Sequence, residues 1–185
     1  MTKNYLPSFR EGKAIAAATI LLKLSNGACD KYWLNKVLYF IERESLIRTG
    51  QPVFNDSLYS LPLGPIASTV NDEIDNTAYP SESEWKKHLS LEGITVRLIA
   101  EANTDILTDN EISLIHEAHA KFYGWGFSKM KDYFHMLPEH KQTKSRIDIE
   151  YIDILRPAGI DEESINDALE TISYFSNLDK LIHCG

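Results

Sequence analysis

The sequence predicts a mainly α-helical fold, in which a single globular domain carries a small β-hairpin or short-strand element. Three observations support this prediction. Apolar residues recur at helical spacing in several long segments, and capping signals stand where some of these segments begin. Strand-like alternation of apolar residues is confined to a few positions around Glu92 and Gly93. At 185 residues the chain has the length of one domain, so we expect residues 1–185 to form it.

The first half of the chain predicts three helices. Asp30 can cap the exposed amides of the second helix, and Gly50 can end it in a left-handed conformation. Pro65 suits the first turn of the third helix, because its missing N–H would be unpaired there anyway. The predicted elements are a helix over about 9–24, a helix from 30 or 31 to 49, an extended segment over 51–60, and a helix over about 65–74.

The second half predicts a hairpin between further helices. Ser81 and Thr108 each open a capping box, and Pro138 closes the helix that follows Gly124 and Gly126. The predicted elements are a short helix over 81–89, a hairpin over 91–98, helices over about 109–122 and 127–136, a polar loop over 139–150, an extended segment over 149–155, and a C-terminal helix over about 161–182.

Composition restricts the class of partner. The apolar fraction of 43% is normal for a globular chain, and the net charge of −8 disfavours broad non-specific binding to nucleic acid.

Cys29 and Cys184 fit no metal spacing and are typical of cytosolic free thiols. The start of the chain does not look like a signal peptide, and the apolar run over 14–22 is too short to span a bilayer. We therefore expect a cytoplasmic protein without a membrane partner.

Metal and catalytic chemistry find little support in the sequence. His116 and His119 can share a helix face, but no third ligand is obvious, so a core-edge His119 and a solvated His116 are favoured. Glu42, Arg43 and Glu44 are consecutive and point in different directions, which favours a structural ion pair from Arg43 over a catalytic site. An inert thiol is favoured at Cys29. We predict no catalytic residue, no metal and no cofactor.

Two segments are candidates for binding. The chain is locally basic from Lys129 to Arg146, which fits an acidic partner or a nucleic-acid backbone, although a solvated loop is the more common outcome. Aromatic residues including Trp125 surround two glycines. They are either core residues or anchors of an interface, and core packing is more common.

The stretch from Trp33 to Asp72 resembles the Panacea domain, also called the SocA-like antitoxin domain. In that family a Lys-Leu-Leu-Tyr-Phe type run leads into an Asp-Arg-Glu-His type segment. The matching features here are the helix of residues 33–44, the turn at Gly50 and Pro52, the segment 56–59 with Tyr59, and the sequence Gly64-Pro65-Ile66-Ala67-Ser68. The chain departs from the family pattern at three positions: Glu42 replaces Asp, Ser45 replaces His, and Ala67 replaces Pro.

The resemblance implies a bacterial or phage-associated intracellular protein. Members of the family are antitoxins that neutralise a partner toxin, often encoded beside them, and at least one type is a proteolytic adaptor that delivers its toxin to the ClpXP protease. A nucleic-acid-binding regulator is the alternative, and a metal-dependent enzyme is less favoured. The candidate partner-binding residues are Tyr39, Arg43, Tyr59, Ser68, Trp125, Lys129 and Lys131. The backbone-shaping residues of the motif are Gly50, Pro52, Gly64 and Pro65.

Overall fold

The computed structural model describes residues 9–77 and 83–183. Within these residues most of the structure is helical, which confirms the predicted mainly α fold. The helices are α1 (Glu11–Leu24), α2 (Lys31–Thr49), α3 (Ser68–Asn76), α4 (Asp109–Phe122), α5 (Phe127–His135), α6 (Tyr151–Leu155) and α7 (Glu162–His183). The strands are β1 (Ala28–Asp30), β2 (Leu58–Leu61), β3 (Gly64–Ala67), β4 (Leu89–Glu92), β5 (Thr95–Leu98) and β6 (Ile147–Ile149).

Helix α2 lies at the centre of the structure and contacts α1, α3, α4, α5 and α6. It begins where the Asp30 carboxylate accepts a hydrogen bond from the Trp33 amide, and it ends at Gly50, whose φ is 69°. Its apolar residues Leu34, Leu38 and Ile41 are fully buried. A helix surrounded in this way has no solvent side for most of its length. Its charged residues must therefore find partners inside the protein.

The strands form two small antiparallel sheets, with the orders β1-β5-β4 and β3-β2-β6. The hairpin of β4 and β5 turns at Gly93 and confirms the hairpin predicted there. In the other sheet β2 pairs with β3 on one side and with β6 on the other, so that Tyr59 lies opposite both Ile66 and Asp148. Residues 56–68, which match the family pattern, are called the family-like segment. The second sheet brings this segment next to the chain that follows α5.

The predicted position of Pro65 in a helix is wrong. Pro65 lies in strand β3, and the helix begins only at Ser68. The start of α3 is stabilised from a distance, because the Asp56 carboxylate accepts hydrogen bonds from the amides of Thr69 and Val70 at 2.9 Å. A carboxylate at this end of a helix also complements the helix dipole. Such a cap has no local sequence signature, so the sequence predicts too early a start for α3.

Three further predictions need correction. The segment 149–155 is not extended, since β6 ends at Ile149 and α6 follows it. The short helix after Ser83 is a 3₁₀ turn of Glu84–Lys87 that leads directly into β4, whereas Ser81, where its capping box was predicted, lies outside the described residues. The predicted polar loop over 139–150 begins with Glu139, which is buried, and it contains strand β6.

Candidate functional site

Glu42 fixes the segment that follows α2. Its carboxylate is fully buried and accepts hydrogen bonds from the backbone amides of Phe54 (2.7 Å) and Asp56 (3.0 Å). Burial raises the pKa of Glu42 to about 7, and the backbone hydrogen bonds oppose this rise. Burial also raises the pKa of Asp56, whose carboxylate holds the start of α3. Two buried carboxylates thus hold the loop between α2 and α3 through hydrogen bonds to backbone amides.

Arg43 is part of a second buried network. Its Nε donates to Glu139 Oε1 at 2.6 Å, and its Nη1 donates to Glu44 at 2.8 Å. The Tyr39 hydroxyl donates to the same Glu139 oxygen at 2.9 Å. Burial and the neighbouring Glu139 raise the pKa of Tyr39 well above its ordinary value. The structural ion pair predicted for Arg43 is confirmed, and the fully buried Tyr39 contributes to the network rather than to the surface.

Glu139 and Lys36 are site residues that the sequence does not predict. Glu139 lies 96 residues from Arg43 in the chain, within a polar segment, and nothing in its spacing indicates burial. Lys36 gave a weak signal, since it is a charged residue amid the apolar residues of α2. The Lys36 ammonium donates to the Pro65 carbonyl at 2.6 Å, and burial lowers its pKa to about 7.

Gly64 makes room for Lys36. A Cβ at this position would lie 3.1 Å from Lys36 Nζ and 3.3 Å from His135 Cδ2, and the φ of Gly64 is 98°. We expect Gly64→Ala to lower the free energy of unfolding by about 2–3 kcal/mol, because it adds backbone strain to steric crowding. Urea denaturation measures the loss. The matched control is Gly93→Ala, where φ is 63° and no atom lies within 4 Å of the added Cβ. Equal losses at the two sites would contradict the role given to Lys36.

Ser60 and His140 resemble a nucleophile and its base, but their contacts are structural. Ser60 Oγ lies 2.9 Å from His140 Nδ1, and it accepts a hydrogen bond from the Lys141 amide. Ser60 is fully buried, so a substrate cannot reach its hydroxyl. The His140 ring stacks on the His135 ring, with their centroids 4.6 Å apart. Burial lowers the pKa of both imidazoles. The pair anchors the chain after α5 to strand β2.

A surface of different character covers the junction of α4 and α5. The rings of Trp125 and Tyr133 are perpendicular, with centroids 5.7 Å apart, and both side chains are partly exposed. Lys129 Nζ lies 3.9 Å from the centre of the Trp125 ring, and Lys121 Nζ lies 4.7 Å from the centre of the Tyr133 ring. We call these four residues the lysine–aromatic patch. Cations on aromatic faces are a recurrent feature of recognition surfaces.

Apolar side chains are also exposed beside the start of α2. Phe127 and Leu63 are 54% and 49% exposed. Tyr32 connects them, because its ring packs on Phe127 at 4.7 Å and its hydroxyl donates to the Leu63 carbonyl. The turn of the family-like segment and the start of α5 therefore meet at this surface.

The other predicted residues are distributed as follows. Tyr59 is partly exposed, and the Arg146 guanidinium covers its ring at 3.3 Å. Ser68 is buried, and its amide donates to the Ser57 carbonyl. Lys131 is partly buried, with its charge close to His135. Lys141, in the predicted basic segment, already pairs with Asp153.

A cleft of about 360 Å³ lies between the end of α2 and the start of α4. Its charged side chains are largely paired within the protein. Arg48 pairs with Glu117 at 2.8 Å, and Glu111 pairs with Lys13 at 2.7 Å while it completes the capping box of α4. Because these charged groups are already paired, the cleft offers few unpaired charges to a charged ligand.

The structure places the remaining candidates of the sequence analysis in ordinary surroundings. His119 lies at the core edge beside Trp33, and His116 is exposed. Over residues 9–77 and 83–183, no group of three or more His, Cys, Asp or Glu side chains could hold a metal ion. Burial raises the pKa of Cys29 to about 12, which disfavours a reactive thiolate, and Cys184 lies outside the described residues. In the same part of the chain, no helix is both long and apolar enough to cross a membrane.

Comparison with known proteins gives one result. A family model described as "Antitoxin SocA-like, Panacea domain" matches residues 34–139. The matched range begins within α2 and ends at Glu139, so it contains both partners of the buried Arg43–Glu139 pair. Searches of curated proteins and of solved structures gave no significant match.

Proposed function

The chain belongs to the SocA-like antitoxin family of Panacea domains, and on that basis we propose that it is an antitoxin that neutralises a partner toxin by binding it in the cytoplasm. We treat residues 1–185 as one Panacea-like domain. The observation that carries the proposal is the contrast between a charged interior whose groups are hydrogen-bonded within the protein and a lysine–aromatic patch that is open to solvent. Membership of the family supports an antitoxin activity, and this contrast favours binding over catalysis as its means.

The buried charges support the proposal because they are already used within the protein. The Glu42 carboxylate accepts hydrogen bonds from backbone amides. Arg43 donates to Glu139, and Lys36 donates to a backbone carbonyl. A catalytic acid or base must reach a proton on a substrate, whereas Glu42 and Lys36 are buried and the Arg43 side chain is only 11% exposed. They instead stiffen the scaffold that carries the exposed residues, and a rigid surface loses less entropy when it binds.

We propose that the partner meets the protein at Trp125, Lys129 and Lys131, close to the exposed Phe127. Tyr39 and Arg43 support this surface from the interior. Both donate hydrogen bonds to Glu139 and so fix the chain that follows α5. Tyr59, which is partly exposed, is also proposed to extend this surface, and the buried Ser68 is proposed to support it from within the protein. Aromatic and cationic side chains that remain partly exposed on a rigid scaffold commonly dominate the energy of protein–protein interfaces.

We expect Trp125→Ala to weaken the complex with the product of the adjacent gene by about 2 kcal/mol, because the substitution removes the ring at the centre of the patch. Co-purification and calorimetric titration of the two proteins measure the effect. The control is Tyr174→Ala, which removes another exposed aromatic ring, from α7. Both variants are checked by thermal denaturation. An unchanged affinity for a folded Trp125→Ala variant would argue against this interface.

Neutralisation can follow two routes, and the family contains an adaptor as well as binding antitoxins. If the protein delivers its toxin to a ClpXP-type protease, the toxin disappears when both are produced and persists in a strain without that protease. If direct inhibition is sufficient, growth is rescued in both strains while the toxin remains. Immunoblots of the toxin over time distinguish the two routes.

A nucleic-acid-binding regulator is the second candidate. Lysines placed on aromatic rings also suit single-stranded nucleic acid, whose bases stack on such rings. The net charge of −8 opposes this function. A nucleic-acid-binding function predicts that the protein binds the promoter of its own gene and that this binding weakens steeply with salt. The absence of any mobility shift at low salt would exclude it.

A further inference from the structure

The lysine–aromatic patch carries positive charge that the protein does not neutralise. Over the described residues, neither Lys121 nor Lys129 forms an ion pair with a carboxylate; both contact aromatic rings instead. Several other exposed cations are paired, as Lys87 is with Glu84 and Arg156 with Glu162. The whole chain contains 27 acidic and only 19 Lys and Arg residues, so carboxylates are plentiful. Two unpaired ammonium groups on neighbouring rings therefore form a local excess of positive charge.

Helix α5 adds an apolar component to this charge. Lys129, Tyr133 and Met136 are spaced at i, i+4 and i+7, which places them along one face of α5 and of the residue that caps it. Met136 is 85% exposed, and Tyr133 is partly exposed. Methionine adapts its shape to apolar partners and is common at binding surfaces. The patch thus offers apolar contact area between two cations.

We propose that the lysine–aromatic patch, extended by Met136, is the docking surface for an acidic segment of the partner toxin. Carboxylates of that segment pair with Lys121 and Lys129, and an apolar side chain between them packs on Trp125 and Tyr133. This inference rests on the proposed function and deepens it, because it defines the chemistry of the contacted segment. The net charge of −8 favours a toxin that is basic overall, whereas the patch selects an acidic stretch on it.

The aromatic rings prepare the lysines for this role. Contacts at 3.9 Å and 4.7 Å between ammonium groups and ring centres restrict the flexible lysine side chains before a partner arrives. Less rotamer entropy then remains to be lost when a carboxylate binds. A nucleic-acid strand would meet the same cations, but it would also bring an extended row of phosphates against an acidic chain. A short acidic segment avoids that repulsion, and the exposed Met136 suits it better.

The test uses fluorescence polarisation with three labelled probes: a short peptide rich in Glu and Leu, the same peptide with Lys in place of Glu, and a single-stranded oligodeoxynucleotide. We expect the acidic peptide to bind more tightly than the other two. In the Lys121→Glu/Lys129→Glu variant its affinity should fall by about tenfold or more. The matched control Lys23→Glu/Lys87→Glu makes the same double charge reversal at exposed lysines outside the basic segment, and it should change affinity less than twofold.

A milder variant, Lys121→Gln/Lys129→Gln, removes the charges without reversing them, and circular dichroism establishes that each variant is folded. The inference is wrong if the basic peptide or the oligonucleotide binds best, or if the folded double variants keep the affinity for the acidic peptide. The same variants are tested against the intact toxin. If the wild-type protein neutralises the toxin and the double variants do so equally well, the inference fails while the proposed function stands. If the wild-type protein does not neutralise the toxin, the proposed function fails, and the peptide titration still decides the chemistry of the patch.

Discussion

Replacing Glu139 by leucine is expected to lower the free energy of unfolding by about 3–5 kcal/mol. The substitution removes the carboxylate that accepts hydrogen bonds from Arg43 (2.6 Å) and Tyr39 (2.9 Å). Glu44 remains as a second partner of Arg43, but the buried Tyr39 hydroxyl loses its acceptor, Glu139. An unpaired polar group in the interior loses its hydration without compensation. Urea denaturation at neutral pH measures the loss.

A double-mutant cycle tests this origin of the loss. Arg43→Leu combined with Glu139→Leu should cost less than the sum of the two single substitutions, because the second change removes the charge that the first leaves unpaired. Glu162→Gln is the control, since it breaks the exposed pair with Arg156 and should leave stability almost unchanged. If the effects of the buried pair are strictly additive, the two residues do not stabilise the fold through one another.

Replacing Glu42 by glutamine is expected to change how stability depends on pH. Burial raises the pKa of Glu42 to about 7 in the folded protein, against an ordinary value of 4.5. Between these values the folded state holds a proton that the unfolded state releases, so this contribution to stability is complete below pH 4.5 and is lost as pH rises through 7. The stability of the wild type relative to Glu42→Gln should therefore fall by up to about 3 kcal/mol across this range.

Urea titrations of both proteins at closely spaced pH values measure this difference. Asp56, whose pKa is also raised by burial, is present in both proteins and largely cancels in the comparison. The amides of Phe54 and Asp56 lose part of their acceptor in the variant, which adds an offset that does not depend on pH. A difference that stays constant from pH 4.5 to 7 would mean that Glu42 titrates normally in the folded protein.

Local signals in the sequence were sufficient for most helices. Helix α2 begins beside the Asp30 cap and ends at Gly50, as its sequence predicts, because both signals act within one turn of the helix. The capping box at Thr108 likewise marks the start of α4. Helix α3 was placed too early because its amides are capped by Asp56, more than ten residues away. A contact of this kind depends on the packed loop, which no local pattern describes.

The site was predicted less completely, for the same reason. Arg43 was expected to form an ion pair, but its partner Glu139 could not be identified, because a carboxylate in a polar segment gives no sign of burial. Trp125 was open to two interpretations, core residue or interface anchor. In the structure it packs edge-on against Phe122, yet it stays partly exposed beneath Lys129. The packing of α4 against α5 determines that exposure, and the packing is a property of the whole fold.

The central claim is that this protein neutralises a toxin by binding it. The most direct measurement is growth of a bacterial culture that produces the product of the adjacent gene, with and without this protein. We predict that the neighbouring product alone arrests growth, that co-production of the wild-type protein restores it, and that the two proteins co-purify. A neighbouring product that is harmless when produced alone, or a toxic one that this protein neither binds nor counteracts, would contradict the claim.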